Sequence, residues 1–396
     1  MQPAQEPVWP VIGPRPPHQP DDTFRPEVAE VQVEVFLSGL EIPWSMVFAP
    51  DGRILISERP GRIRMVRQGQ LESQPYATFP VYHRRGREAG LMGLALPPDF
   101  PSTPYVYVMY SYNDDEGRII NRVSRIHDHG STGSQEEVLL DGIIGGRAHD
   151  GGRIAFGPDG KLYVGTGEAF QKDRAQEMAD LGGKILRLNP DGSIPDDNPF
   201  PGSPIFSPGH RNVQGLAWQP RTGALFNSEH GPSGERWPQP DGSTVRTRNR
   251  DEVNVIAAGD NAGWPHVVGY GQVEGYVDPI LMWPEAAVPL SGMTFYTGDL
   301  MPELEGDLFI ATLASEALLR IRFQDPDDPY RPTRVERWFA RSRDRFSGGY
   351  GRLRDVVQGP DGALYVLTNN LDGRRRAGTF EGDDRVLRIV PAATGK

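Results

Sequence analysis

Over residues 31–35 the chain alternates Val31, Val33 and Val35 with Gln32 and Glu34. An apolar residue at every second position marks a strand with one buried face. Elsewhere the apolar runs are short, and a turn introduces each. Phe48-Ala49-Pro50-Asp51-Gly52 leads into Ile54-Leu55-Ile56, Phe156-Gly157-Pro158-Asp159-Gly160 into Leu162-Tyr163-Val164, and Gln358-Gly359-Pro360-Asp361-Gly362 into Leu364-Tyr365-Val366. Weaker copies stand at 218–226 and 306–311, and a sixth opens at Leu96-Pro97-Pro98-Asp99-Phe100 and runs into 105–110. In such a turn Pro pre-sets φ, Asp favours the bend and Gly tolerates a positive φ. Six copies of one turn-then-strand unit, spaced as blades with variable insertions, predict an all-β fold. The expected architecture is a six-bladed β-propeller of four-stranded antiparallel blades. Six unrelated hairpins in a sandwich are the alternative, disfavoured by the shared wording of three copies.

The strand at 31–35 and another at 385–390 lie near opposite ends of the chain. Sharing one blade would close the ring and remove an open edge. Helix signals are few, and residues 176–181 have room for a turn or two. The chain therefore reads as one propeller domain over 29–396, preceded by a Pro-rich polar tail or linker over 1–28.

Composition narrows the function. Gly (47) and Pro (38) are abundant without a collagen period, as many tight turns require. A net charge of −11 argues against non-specific nucleic-acid binding and, more weakly, against an anionic membrane surface. No stretch is long and apolar enough to span a bilayer. The absence of cysteine excludes disulfides, thiolate metal sites and cysteine nucleophiles. Residues 1–7 lack the basic and apolar regions of an export signal, leaving a cytoplasmic protein or one whose signal has been removed.

Four stretches carry candidate chemistry. In Arg147-Ala148-His149-Asp150-Gly151-Gly152-Arg153, a Gly-flanked histidine stands just before a blade strand. Glu168 ends the next strand; if the two strands are neighbours it orients His149 and strengthens it as a base. A structural loop histidine is the rival reading. In Pro208-Gly209-His210-Arg211-Asn212-Val213-Gln214, the donors Arg211, Asn212 and Gln214 suit carbonyl and carboxylate oxygens, or else bond their own turn. Ser228-Glu229-His230-Gly231-Pro232 is able to present bare carbonyls, hard ligands for Ca²⁺, or is an ordinary turn. In Gly351-Arg352-Leu353-Arg354-Asp355, two arginines two apart share a strand face and form a platform for carboxylates, or are plain surface charges. Phosphate-loop, dinucleotide, G-x-S-x-G and H-E-x-x-H motifs are absent.

In this order, these stretches resemble the soluble aldose and glucose dehydrogenases that use pyrroloquinoline quinone (PQQ), a group that includes sorbosone dehydrogenase-like proteins. Further landmarks are Gly39-Leu40-Glu41-Ile42-Pro43-Trp44, Glu88-Ala89-Gly90-Leu91-Met92-Gly93, Leu181-Gly182-Gly183-Lys184-Ile185-Leu186-Arg187, and Asp251-Glu252-Val253-Asn254 with Gly263-Trp264-Pro265. The resemblance runs from about 39 to 390 and implies the same six-bladed fold. It implies that His149 takes the proton of a sugar's anomeric hydroxyl while hydride passes to the quinone, giving a lactone. Glu168 would be its partner, and Arg211 would stabilise charge on the quinone oxygens. Glu88, Asn212, Gln214 and His230 would touch the cofactor, and Arg352 and Arg354 would hold its carboxylates. The carbonyls of Gly231 and Pro232 would bind a calcium ion that polarises PQQ. A second, structural calcium would sit near Glu252 and the backbone of Ala262.

The chain departs from that pattern in places. Glu168 stands where Asp is usual, and Ala148 where one branch has an acid. No lysine lies at 313–316, Ala262 replaces an aromatic, and 234–250 read as an insertion. The resemblance also implies aldose substrates, an external electron acceptor, and a periplasmic or secreted location. The rivals are a calcium-dependent lactonase-type propeller hydrolase and a non-catalytic propeller that binds glycans or protein.

Overall fold

The computed structural model describes residues 10–238, 241–323, 328, 330–375 and 377–393. Their strands form six antiparallel blades around one axis. The innermost strands are Pro43–Phe48, Leu91–Ala95, Ile154–Phe156, Val213–Trp218, Leu290–Phe295 and Leu353–Gln358, in blades 1 to 6. Each packs against the innermost strand of the next blade, and Leu353–Gln358 packs against Pro43–Phe48, so the ring is closed. The seam is in blade 6, where Val31–Leu37 pairs antiparallel with Val386–Pro391, Val33 opposite Ile389. This is the closure expected from the alternating valines; Val31 and Val33 pack on the core, whereas Val35 at the outer edge is 56% exposed.

All six recurring turns occupy one structural position, the link between the first and second strands of a blade. Gly52, Gly160 and Gly362 have φ of 86°, 72° and 77°, and each N–H donates to the carbonyl three residues earlier. Asp159 and Asp361 accept from the backbone two residues on, from Tyr163 or Tyr365, and from Arg187 or Arg388 of the third strand. The turn aspartate thus ties three strands together.

Apolar side chains between blades form wedge-shaped cores, such as Phe226, Phe295 and Leu308 between blades 4 and 5. Each such burial contributes roughly 1.5–3 kcal/mol. Residues 10–25 lie along the outside of the ring. Val11–Ile12 pairs with Val267–Val268, and Asp22–Arg25 adds a parallel strand to blade 5 beside Arg334–Trp338. Asp22 there accepts from Arg337 and from the Trp283 indole.

Among the described residues, helix is limited to 3-10 turns at Lys172–Gln176 and Pro302–Leu304. The helical turn expected at 176–181 therefore lies a few residues earlier. Past Glu177 the backbone is drawn into tight turns, because the Asp180 carboxylate accepts from Gly182 N–H and the Lys184 ammonium holds the Gly182 carbonyl. No helix among the described residues is long and apolar enough to cross a membrane.

This topology decides where chemistry resides. With the repeated turns at one end of the ring, the loops that enter each first strand and leave each second strand gather at the other. His149, Glu168, Arg211, His230 and Arg352 all stand on such loops.

Candidate active site

The loop 145–152 presses against the second strand of blade 3. A methyl group on Gly151 would meet the Gly165 carbonyl at 2.4 Å, and φ of Gly151 is 66°, so only glycine allows this approach. The contact sets His149, itself at φ 63°, beside the end of that strand. Its Nδ1 lies 2.5 Å from Glu168 Oε1, and its backbone N–H donates to Glu88 Oε2 at 2.7 Å. A carboxylate accepting from Nδ1–H leaves Nε2 with its lone pair. Among the described residues Nε2 has no hydrogen-bond partner. The Phe170 ring covers the imidazole face at 4.0 Å.

His149 opens onto a hollow of about 960 Å³. Loops from around the ring line it, including Glu88, His149, His230, Leu313 and Arg352, so it lies on the propeller axis. Gly231 and Pro232 also line it. Asn212, Gln214 and Arg354 form a bonded layer against that wall without lining it. Asn212 Oδ1 accepts from Gly151 N–H at 3.0 Å and its Nδ2 donates to Glu88 at 3.2 Å. Gln214 donates to the Gly151 carbonyl and accepts from Arg354 at 3.0 Å. The two arginines of the expected platform are thus separated by the register shift between Leu353 and Asp355: Arg352 lines the hollow, and Arg354 lies among Gln214 and Ser291.

Electrostatically the wall combines buried guanidinium groups with buried carboxylates. Burial pushes the Arg354 guanidinium well down from its ordinary value, and Arg59 and Arg352 add to the shift. Burial lowers Arg352 too; Asp372 accepts from its Nη2 at 3.0 Å, and its buried Nε has no partner among the described residues. Burial opposes ionisation of Glu88, but the Arg374 guanidinium and the hydrogen bond from the His149 backbone N–H hold its carboxyl well below the usual range. Burial pushes His230 down to about 3, so its ring is neutral, with Nε2–H donating to the Leu290 carbonyl at 2.7 Å. Asp150, buried near Glu88, is pushed up to about 7, and its Oδ2 has no partner.

Arg211 lies behind this wall. Its Nε and Nη2 donate to Glu235 Oε1, the latter at 2.6 Å, its Nη1 to the His230 carbonyl, and its face lies 5.4 Å from the Trp264 ring. Glu235 comes from the hairpin Ser233–Pro238 with Thr244–Arg248, which is the expected insertion. Arg211, Gly231, Pro232, Glu252 and Ala262 share a second, water-sized hollow of about 10 Å³. Burial and the neighbouring Glu229 carboxylate push Glu252 well up. Glu168 also faces a separate pocket of about 460 Å³ with Phe170, Glu177 and Glu235.

Sequence reasoning did not single out Arg374, Asp372, Glu235 or Phe170. For Arg374 a signal existed: the arginine run 374–376 follows a blade-6 strand at the same end as Arg352. For Glu235 none did, since its partner is set by the fold of the inserted hairpin.

Fold and hollow together define the class, a six-bladed propeller with a polar well at one end of its axis. A family model described as glucose/sorbosone dehydrogenase matches residues 40–377. The chain is 32% identical over 373 residues to the aldose sugar dehydrogenase YliI of Escherichia coli, covering 87% of this chain and 92% of that one. It superposes with a TM-score of 0.77 on a putative oxidoreductase (glucose dehydrogenase) of Thermus thermophilus, at 46% identity over 91% of this chain and all (100%) of that one. Against the PQQ-bound aldose sugar dehydrogenase of Streptomyces coelicolor the TM-score is 0.73, at 35% identity over 92% and 99% of the two chains. The chain belongs to the glucose/sorbosone dehydrogenase family, and is an oxidoreductase.

Proposed function

We propose that the chain oxidises aldoses at the anomeric carbon to lactones, with PQQ and calcium bound in the axial hollow. The observation that carries the reading is His149. An imidazole braced by Glu168 at 2.5 Å presents its unpartnered nitrogen to a hollow bounded by guanidinium groups.

The residues present fit the cofactor. Arg352 keeps a buried, unpartnered Nε, and a carboxylate would satisfy it. Glu88, Asn212, Gln214, His230 and Arg354 form a network that orients the groups facing the hollow. They also fit calcium held by carbonyls. A methyl group on Gly231 would meet the Arg250 carbonyl at 2.1 Å and the Asn249 carbonyl at 2.3 Å, so only glycine brings this carbonyl-rich backbone together. Among the described residues no group of three or more acidic, His or Cys side chains is placed to hold a metal. Calcium would thus rely on the Gly231 and Pro232 carbonyls and the anionic cofactor. We assign a second calcium to the small hollow of Glu252 and Ala262, where the Glu252 and Glu229 carboxylates are buried close together.

When bound, the quinone supplies the two-electron acceptor and calcium the Lewis acid that polarises it. The remaining chemistry belongs to the chain. His149 Nε2 takes the proton of the anomeric hydroxyl, and Glu168 accepts from Nδ1–H and holds the ring in that tautomer. Charge developing on the acceptor is assigned to Arg211. All its nitrogens are engaged in the structure, so this role requires exchange of the Glu235 bond. A periplasmic or secreted location and an external electron acceptor belong to the same proposal, and the family resemblance supports them.

The test is reconstitution. Cofactor-free protein should reduce a redox dye with an aldose only when PQQ and Ca²⁺ are both added. Lactone hydrolysis without PQQ, and no dye reduction with it, would replace the dehydrogenase by a hydrolase.

A further inference from the structure

The walls of the axial hollow hold two kinds of arginine. Arg352 and Arg374 are paired, with Asp372 at 3.0 Å and Glu88 at 3.1 Å. Arg248, Arg343 and Arg345 are exposed, line the same hollow, and among the described residues have no carboxylate within 4 Å. They come from two elements, the inserted hairpin strand Thr244–Arg248 and the loop between Arg334–Trp338 and Arg352. Asp344, between two of them, accepts from the Ser342 hydroxyl instead. Unpaired arginines are ordinary on a convex surface, where water solvates them. Three on a concave wall, in a chain of net charge −11 whose other wall arginines are matched, leave a net positive local field that Asp344 offsets only in part.

We propose that Arg248, Arg343 and Arg345 select an aldose that carries an anionic group, a carboxylate or a phosphate, away from its anomeric carbon. The inference rests on the sugar-oxidising reading and sharpens it. With the oxidised carbon at His149, the remote end of the sugar points toward the mouth, where these guanidinium groups offer forked donors matched to carboxylate or phosphate oxygens. Sharing one concave wall with His149, they favour a small ligand over a flat acidic protein surface.

The experiment compares glucose, glucuronate and glucose 6-phosphate with the PQQ- and calcium-loaded protein. At low salt, kcat/KM for at least one anionic sugar should exceed that for glucose by about tenfold, and the margin should shrink as salt screens the field. Glucuronate and glucose 6-phosphate separate the carboxylate source from the phosphate source. The double variant Arg343→Gln with Arg345→Gln should lower the anionic values about tenfold more than the glucose value, and Arg248→Gln should act in the same direction. A second readout needs no turnover: by calorimetry, methyl glucuronide should bind the loaded protein more tightly than methyl glucoside, neither being oxidisable at its blocked anomeric oxygen. Equal, salt-insensitive kcat/KM values with equal glycoside binding overturn the proposal and leave sugar oxidation standing. No turnover of any aldose overturns sugar oxidation, while glycoside binding still decides the charge preference. Variants that alter only the KM of an anionic electron acceptor assign the arginines to the acceptor and overturn it too.

Discussion

Two adjacent blades build the same histidine–glutamate pair and use it differently. In blade 3, His149 precedes the first strand and Glu168 follows the second; in blade 4, His210 precedes the first strand and Glu229 ends the second, also 19 residues apart. The Nδ1-to-carboxylate distances are 2.5 and 3.0 Å. A blade hairpin therefore brings these two positions together whatever their role. The far nitrogen is what differs. His210 is fully buried, and its Nε2 meets the Ser207 hydroxyl at 2.9 Å. Among the described residues His149 Nε2 has no partner, and its ring borders the hollow. One pair is closed at both ring nitrogens, and the other leaves one nitrogen open.

The largest expected effect breaks the comparison at that nitrogen. His149→Ala should cut kcat/KM for an aldose by about 10³-fold, within the range of a positioned general base. His210→Ala should cut kcat/KM far less. A smaller loss at His149 than at His210, measured on folded protein of known cofactor content, would reverse the assignment.

Next comes the partner. Glu168→Gln removes the charge that fixes the His149 tautomer and should lower kcat by about 10²-fold. Glu168→Asp keeps the carboxylate and should recover part of the loss. If Gln and Asp behave alike in steady-state assays, Glu168 serves only as packing. Third, His210→Ala strands the buried Glu229 carboxylate, while Ser207 keeps the Asp260 carbonyl, at a cost of about 2 kcal/mol. Urea unfolding should show that loss, and a change near zero would mean that water replaces the ring.

How much of this was legible beforehand follows from what each feature depends on. The Pro-Asp-Gly turns and the valine alternation depend on local φ preferences and period-2 burial, so the six blades and the seam at Val33 and Ile389 were readable. His149 and Glu168 were readable as a pair because one hairpin, two strands and a turn, separates them and brings its two ends together. The pairing of Arg211 with Glu235 was not, because it depends on how an inserted hairpin folds back. Nor was the splitting of Arg352 from Arg354: residues two apart share a face only in a regular strand, and this one slips register between Leu353 and Asp355. The difference between His149 and His210 was hidden for a similar reason, since both stand in Gly-flanked loops and only the ring's neighbours tell them apart.

The smallest prediction concerns what secures each pair's loop. The third strand of blade 4 begins at Asp251, which accepts N–H groups of Gly231 and Val288. The third strand of blade 3 begins at Lys184, whose Nζ donates to the carbonyls of Arg174 and Gly182, at 2.7 and 2.8 Å, and so closes the loop after Glu168. Burial pushes Lys184 down to about 8 from 10.5, against the opposing pull of Asp180 and Glu177. Between these values the unfolded chain holds a proton that the folded one has released, so stability rises with pH across that window. The neutral amine still has two N–H groups for its two carbonyls, so the loop contacts survive deprotonation. From pH 8 to 9 the gain should be about 1 kcal/mol, read from urea midpoints, and Lys184→Met should remove that slope while lowering stability at every pH. A slope unchanged in Lys184→Met would mean that other groups set it and that the ammonium is not strained in the fold.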